Sequence, residues 1–71
     1  MADVPPELGR TVEVGFRKAR VDRNRVPDEP PVAVFKHTFY LGRWYYDGYA
    51  AYATEAEAVT VRDTWLNQGV E

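Results

Sequence analysis

The chain of 71 residues has no cysteine, no serine and no isoleucine, and it carries one histidine and one methionine. Without cysteine there are no disulfides, no thiolate chemistry and no cysteine-ligated zinc. Without serine there is no serine nucleophile, and a single histidine cannot build a multi-histidine metal site. No apolar run approaches the roughly 18 residues that cross a bilayer. The start, with Asp3, Pro5, Pro6 and Glu7, lacks the form of a secretory leader, so a cytoplasmic protein with no membrane partner is expected. Gly-rich phosphate loops, metal-ligand spacings and nucleophile elbows are also missing. The acids Asp28-Glu29 sit in a Pro-rich stretch, and Glu55 and Glu57 suit the start of a helix, so neither pair needs a catalytic role. The chain reads as non-enzymatic, with no catalytic residue, cofactor or metal.

What is present argues for a folded chain. Hydrophobic residues make up 45%, including two Trp, five Tyr and three Phe. The length allows one domain at most, and such a chain buries only about 60% of its unfolded surface, so each large apolar side chain matters. Residues 1–9 read as an extended or disordered lead and residues 10–71 as the domain. Seven arginines against two lysines, and ten valines, are the bias of a GC-rich coding sequence.

The net charge of −2 is unevenly laid out. Residues 10–25 hold Arg10, Arg17, Lys18, Arg20, Arg23 and Arg25 against Glu13 and Asp22, whereas residues 47–71 hold five acids against Arg62. A non-specific nucleic-acid binder is ordinarily basic overall. A basic stripe on one face still serves a polyanion, because phosphate contacts act over about a Debye length of 10 Å or less. The competing reading is a solvated strand face.

Thr11–Phe16 alternates with period two, as a half-buried strand does, and the strand is expected to continue through Arg17 to Val21. Asp22–Pro31, with three prolines and Asn24, reads as a loop of about ten residues. Val32–Leu41 is the next strand, more apolar on its Ala33, Phe35, His37, Phe39, Leu41 side. Gly42 marks a bulge or tight turn. Asp47-Gly48 between aromatic runs is a strong two-residue hairpin signal. That hairpin would pair Tyr46 with Tyr49 and Trp44 with Ala51, placing those four on one face, with Arg43, Tyr45, Ala50 and Tyr52 on the other. Thr54 with Glu57 forms a capping box that opens a helix over 54–68, stopped by Gly69. Val61, Trp65, Ala58, Leu66 and Val59 form its apolar stripe. Arg62 falls within that stripe, where it is expected to snorkel or stack on a tyrosine; the alternative is an anchor for an anionic partner.

Tyr40, Trp44, Tyr45, Tyr46, Tyr49 and Tyr52 crowd into one short segment, and alternation turns some of them outward. An exposed Tyr/Arg surface fits base stacking or a protein-binding hot spot; the alternative is burial of both faces. His37 has no partner that spacing nominates for acid–base work, and it reads as a structural histidine at the sheet edge or core rim.

The run Tyr52-Ala53-Thr54-Glu55-Ala56-Glu57-Ala58 resembles the aromatic-x-Thr-x-x-Glu-Ala junction between the last strand and the helix of plant APETALA-type DNA-binding domains. The related amino-terminal domains of phage and transposon integrases share it. The resemblance implies a three-stranded antiparallel sheet backed by one helix, with the sheet entering the major groove. By position it makes Tyr52 the packing aromatic and turns Arg43, Tyr45 and Tyr52 inward, whereas the hairpin pairing favours Trp44, Tyr46 and Tyr49 for the core. The chain departs from the family in having Ala51 before Tyr52 and little basic charge on its hairpin.

The expected fold is α+β, a three- or four-stranded antiparallel sheet packed against one C-terminal helix. Its core is expected to hold Val12, Val14, Phe16, Phe35, Phe39, Trp44, Val61, Trp65 and Leu66. The expected function is nucleic-acid binding, as in a phage or mobile-element regulator, with Arg17, Lys18, Arg20, Arg23 and Arg25 on phosphate and Lys36, Arg43 and Tyr45 on sugars or bases. The alternative is a protein-binding module, such as a phage-encoded inhibitor or accessory subunit, acting on a host or phage protein through its aromatic face or through Glu57, Asp63 and Glu71. A free sheet edge would also support a homodimer. The two functions separate on layout: basic residues sharing a sheet face with aromatics favour nucleic acid.

Overall fold

A computed structural model describes residues 6–68. Four antiparallel strands run in sequence order, β1 (Thr11–Val14), β2 (Arg17–Arg23), β3 (Val32–Tyr40) and β4 (Arg43–Tyr52), followed by helix α1 (Glu55–Asn67) on one face of the sheet. No helix among the described residues is long and apolar enough to cross a membrane.

Two connections differ from the sequence expectation. The strand expected to run from Thr11 to Val21 folds back on itself at Gly15-Phe16, with Val14 opposite Arg17. Gly15 has φ 60° at the first connecting position, where a II′ turn requires glycine. The β3–β4 hairpin turn is Leu41-Gly42, at the glycine expected to mark a bulge or tight turn, with φ of 51° and 85°, the two positive values that a I′ turn needs. Asp47-Gly48 is therefore not a hairpin turn but lies within β4. There Lys36 faces Gly48 and His37 faces Tyr46, which leaves Asp47 as the extra residue of a bulge. Tyr46 and Tyr49 do not pair with each other; they face His37 and Phe35, and Trp44 faces Phe39. The bulge shifts the alternation by one, so Trp44, Tyr46, Tyr49 and Ala51 still share a face, as the mistaken hairpin also implied.

That face is turned away from the helix, and this inverts the expected core. Ala19, Val21, Val34, Ala58 and Leu66 form the buried cluster, with Leu8, Val12, Val14, Val32, Tyr52, Val59 and Trp65 partly buried against it. Phe35, Phe39 and Trp44 lie on the opposite side, and Phe16 sits in its turn with 72% of its surface exposed. Small residues where helix meets sheet let the two layers approach closely, which bulky rings would prevent. Tyr52 faces the helix side, in register with Val32.

The helix begins as expected, with the Thr54 hydroxyl accepting the Glu57 N–H at 3.2 Å. The Thr54 hydroxyl donates to Glu57 Oε1 at 3.5 Å, in place of a bond from the Thr54 backbone N–H to that carboxylate, so only half of the capping box forms. The Gly69 stop lies outside the described residues. Arg62 is 4% exposed and neither reaches the surface nor stacks on tyrosine. Its guanidinium meets Glu7 at 2.8 Å and Asp63 at 2.9 Å. Burial disfavours its charge, but the two carboxylates more than compensate and hold its pKa above the usual arginine value. Of the expected lead, residues 6–9 are described and tied down: Leu8 bridges to Val21, and Glu7 reaches both Arg10 and Arg62.

Candidate nucleic-acid interface

The helix-free face is built from the residues that alternate away from the core. Register places Lys18 beside His37 and Tyr46, and Arg20 beside Phe35 and Tyr49, with Phe39 opposite Trp44 at the far end. Three ring pairs span β3 and β4. Phe35–Tyr49 is stacked at 5.5 Å with planes 22° apart, His37–Tyr46 meets edge-on at 5.4 Å, and Phe39–Trp44 meets edge-on at 5.2 Å. The rings pack against one another in pairs, no helix among the described residues covers them, and Tyr46 and Tyr49 remain 58% and 40% exposed. The two cations rest on rings: the Lys18 ammonium is 4.2 Å from the Trp44 ring centre, and the Arg20 guanidinium is 5.3 Å from that of Phe35.

The loop from Asn24 to Pro31 closes one end of this face. The Asn24 amide group donates to Pro30 O at 2.8 Å, its Oδ1 accepts the Val26 N–H at 3.2 Å, and the Asn24 N–H donates to Pro31 O at 2.7 Å. Held this way, the loop forms a shallow cavity of about 370 Å³ with Arg20, Arg23 and Arg25 beside Phe35, Tyr46 and Tyr49. Asp22 also borders it and pairs with Arg20 at 3.3 Å. A second cavity of about 420 Å³, among Leu8, Arg23, Asn24, Val32 and Glu55, has mostly apolar walls and lacks the alignment of cations with rings. Ala33 is fully buried on the open side, at the end where the loop begins and returns.

His37 lies mid-face rather than at the edge or core rim. Its pKa is lowered from 6.5 by partial burial and then by Lys18 and Arg20, while Asp47 acts in the opposite direction. The imidazole is neutral near pH 7, which suits a ring packed against Tyr46.

The expected site residues divide between the two faces. Lys18 and Arg20 are on the open face, with Arg25 at its loop end; Arg23, in register with Val32, alternates to the helix side and borders both the loop cavity and the cavity beside Leu8 and Glu55. Arg17, Lys36, Arg43 and Tyr45 alternate to the helix side. Arg17 caps the helix, its Nη1 donating to Trp65 O at 2.7 Å and to Gln68 O. It also lies 5.3 Å from the Trp65 ring centre, with Lys36 at 5.9 Å. The last helical turn has no basic residue of its own, so β2 supplies the charge its carbonyls favour. Arg43 and Tyr45 are exposed near the Leu41-Gly42 turn, with Tyr45 beside Tyr40. Phe35, His37 and Phe39 were not among the residues expected to touch a ligand, whereas Trp44, Tyr46 and Tyr49 belonged to the aromatic cluster of which some members were expected to face outward. Their signal was the alternation of β3 and β4, which grouped them but pointed them inward.

The chain matches no family model, no curated protein and no solved structure. Its role has to be read from this surface and its chemistry. Among the described residues no group of three or more His, Cys, Asp or Glu is placed to hold a metal ion.

Proposed function

We propose that this chain is a small, non-enzymatic nucleic-acid-binding protein that uses the helix-free face of its sheet. The observation that carries the reading is the alignment of Lys18 and Arg20 on β2 with the ring pairs of β3 and β4. Cations beside exposed rings suit a ligand that presents phosphates and π-faces together. The net charge of −2 does not oppose this, because the acids of the carboxy-terminal half lie largely on the helix, across the sheet from Lys18 and Arg20. Arg17 is withdrawn from the phosphate-binding set by its bonds to the helix. Action as a phage or mobile-element regulator is compatible with this reading.

A titration of labelled nucleic acid at two salt concentrations tests the proposal. Binding is expected at low salt and should weaken as salt rises. Lys18→Ala and Arg20→Ala should each reduce the slope of log affinity on log salt by about 0.7–0.9 for every phosphate the side chain had neutralised. Absence of binding at low salt would sink the proposal and leave the aromatic face to a protein partner.

A further inference from the structure

We infer that the ligand of this face is a single strand, with bases stacked on the ring ladder and phosphates beside β2. This inference rests on the nucleic-acid reading above and names the class of ligand. Phe35, His37 and Phe39 repeat every second residue of β3, each with a ring from β4 across from it. Lys18 and Arg20 repeat with the same two-residue period on the adjoining strand, in register with His37 and Phe35. Two residues of strand advance about 6.7 Å, a step that one extended nucleotide can span. Base and phosphate therefore have parallel tracks with a common period.

The balance of rings and cations selects against a duplex. A duplex binder held mainly through phosphates, for example one with about 6–10 such contacts, needs a broad basic surface. Here Lys18, Arg20 and Arg25 are the cations on hand, with Arg23 adding a fourth only where the loop cavity meets the strand end, and Arg20 is shared with Asp22. Duplex bases hide their π-faces in the stack, so exposed rings gain little from them. An unpaired base offers that face directly. Tyr46 and Tyr49 are the most exposed rings of the ladder, whereas Trp44 already has Lys18 above it. The loop arginines lie beside the same two tyrosines, where the strand would continue toward Arg23 and Arg25.

The test compares oligonucleotides about ten nucleotides long, as single-stranded DNA, single-stranded RNA of the same sequence, and the corresponding DNA duplex. At least one single strand is expected to bind about tenfold or more tighter than the duplex, and the DNA and RNA arms identify which. The salt slope should be shallow, no steeper than about −3 for four phosphates neutralised. Tyr46→Ala and Tyr49→Ala should each weaken binding about tenfold or more with the slope unchanged, and Tyr46→Phe should bind as the parent does, since stacking needs only the ring. A duplex bound as tightly as either single strand would overturn the inference while leaving the nucleic-acid reading intact. So would a drop in affinity for Tyr46→Phe equal to that for Tyr46→Ala. If none of the three ligands binds, both fail.

Discussion

Leu41 is the one non-glycine residue with positive φ among the described residues, at 51°, and its side chain is 80% exposed. A branched side chain in left-handed backbone costs about 1–2 kcal/mol, and its exposure recovers little by burial. Leu41→Asn keeps the turn and relieves part of that strain, so it should raise the unfolding free energy by about 0.5–1 kcal/mol in a urea titration. His37 supplies a second prediction. Because its folded pKa lies below 6.5, the unfolded chain takes up a proton first as pH falls. Stability should therefore decline as pH drops through about 6.5 and level off below the folded pKa. A bound polyanion favours the imidazolium, so affinity should rise over the same interval. Urea unfolding and binding titrations across about pH 5–8 would follow both trends, and His37→Gln should flatten each.

The helix was the most legible element, because Thr54 and Glu57 mark its start through chemistry confined to four residues. Its closing bond was not legible, since Arg17 reaches it from 48 positions away in sequence. Asp47-Gly48 misled for a related reason. Aspartate and glycine suit positive φ in a bulge as well as in a turn, and only pairing with β3 decides which forms. At the true turn Gly42 carried the signal and Leu41 gave none, so the stronger-looking Asp-Gly pair took the hairpin. Arg17→Ala should lower stability by about 1–2 kcal/mol, through removal of hydrogen bonds and of charge at the helix end, while leaving the salt slope of nucleic-acid binding unchanged. Lys18→Ala should do the reverse, with little change in thermal midpoint and a reduced slope. A thermal melt and a salt titration on the two variants separate a helix cap from a phosphate ligand one residue apart.

For the molecule as a whole, fold class was legible because alternation, turns and capping are short-range signals. Which face carried the helix was not. The side of β3 with Phe35 and Phe39 is the more apolar, and hydrophobicity alone assigns it to the core. The deciding quantity was size: Ala19 and Ala58 let the helix settle close to the sheet, leaving one helix to cover one face. The site was thus legible as a cluster of tyrosines and a run of basic residues, but not as a surface. The buried cluster is so small that each member counts, and Leu66→Ala should cost about 2–5 kcal/mol by calorimetry or denaturant.

Beyond β4 the sheet has no neighbour among the described residues, so ten residues of backbone border open space along its outer edge. Such a margin invites another chain to zip onto it and begin a fibre. The kink at Asp47 interrupts the margin near its middle and adds a carboxylate, which makes the bulge a safeguard against clumping as well as the device that aligns the tyrosines. Removing Asp47 alone should straighten the strand into a regular ladder, with Tyr46 and Trp44 still opposite His37 and Phe39, and produce a protein that precipitates at concentrations where the parent stays clear in a turbidity assay.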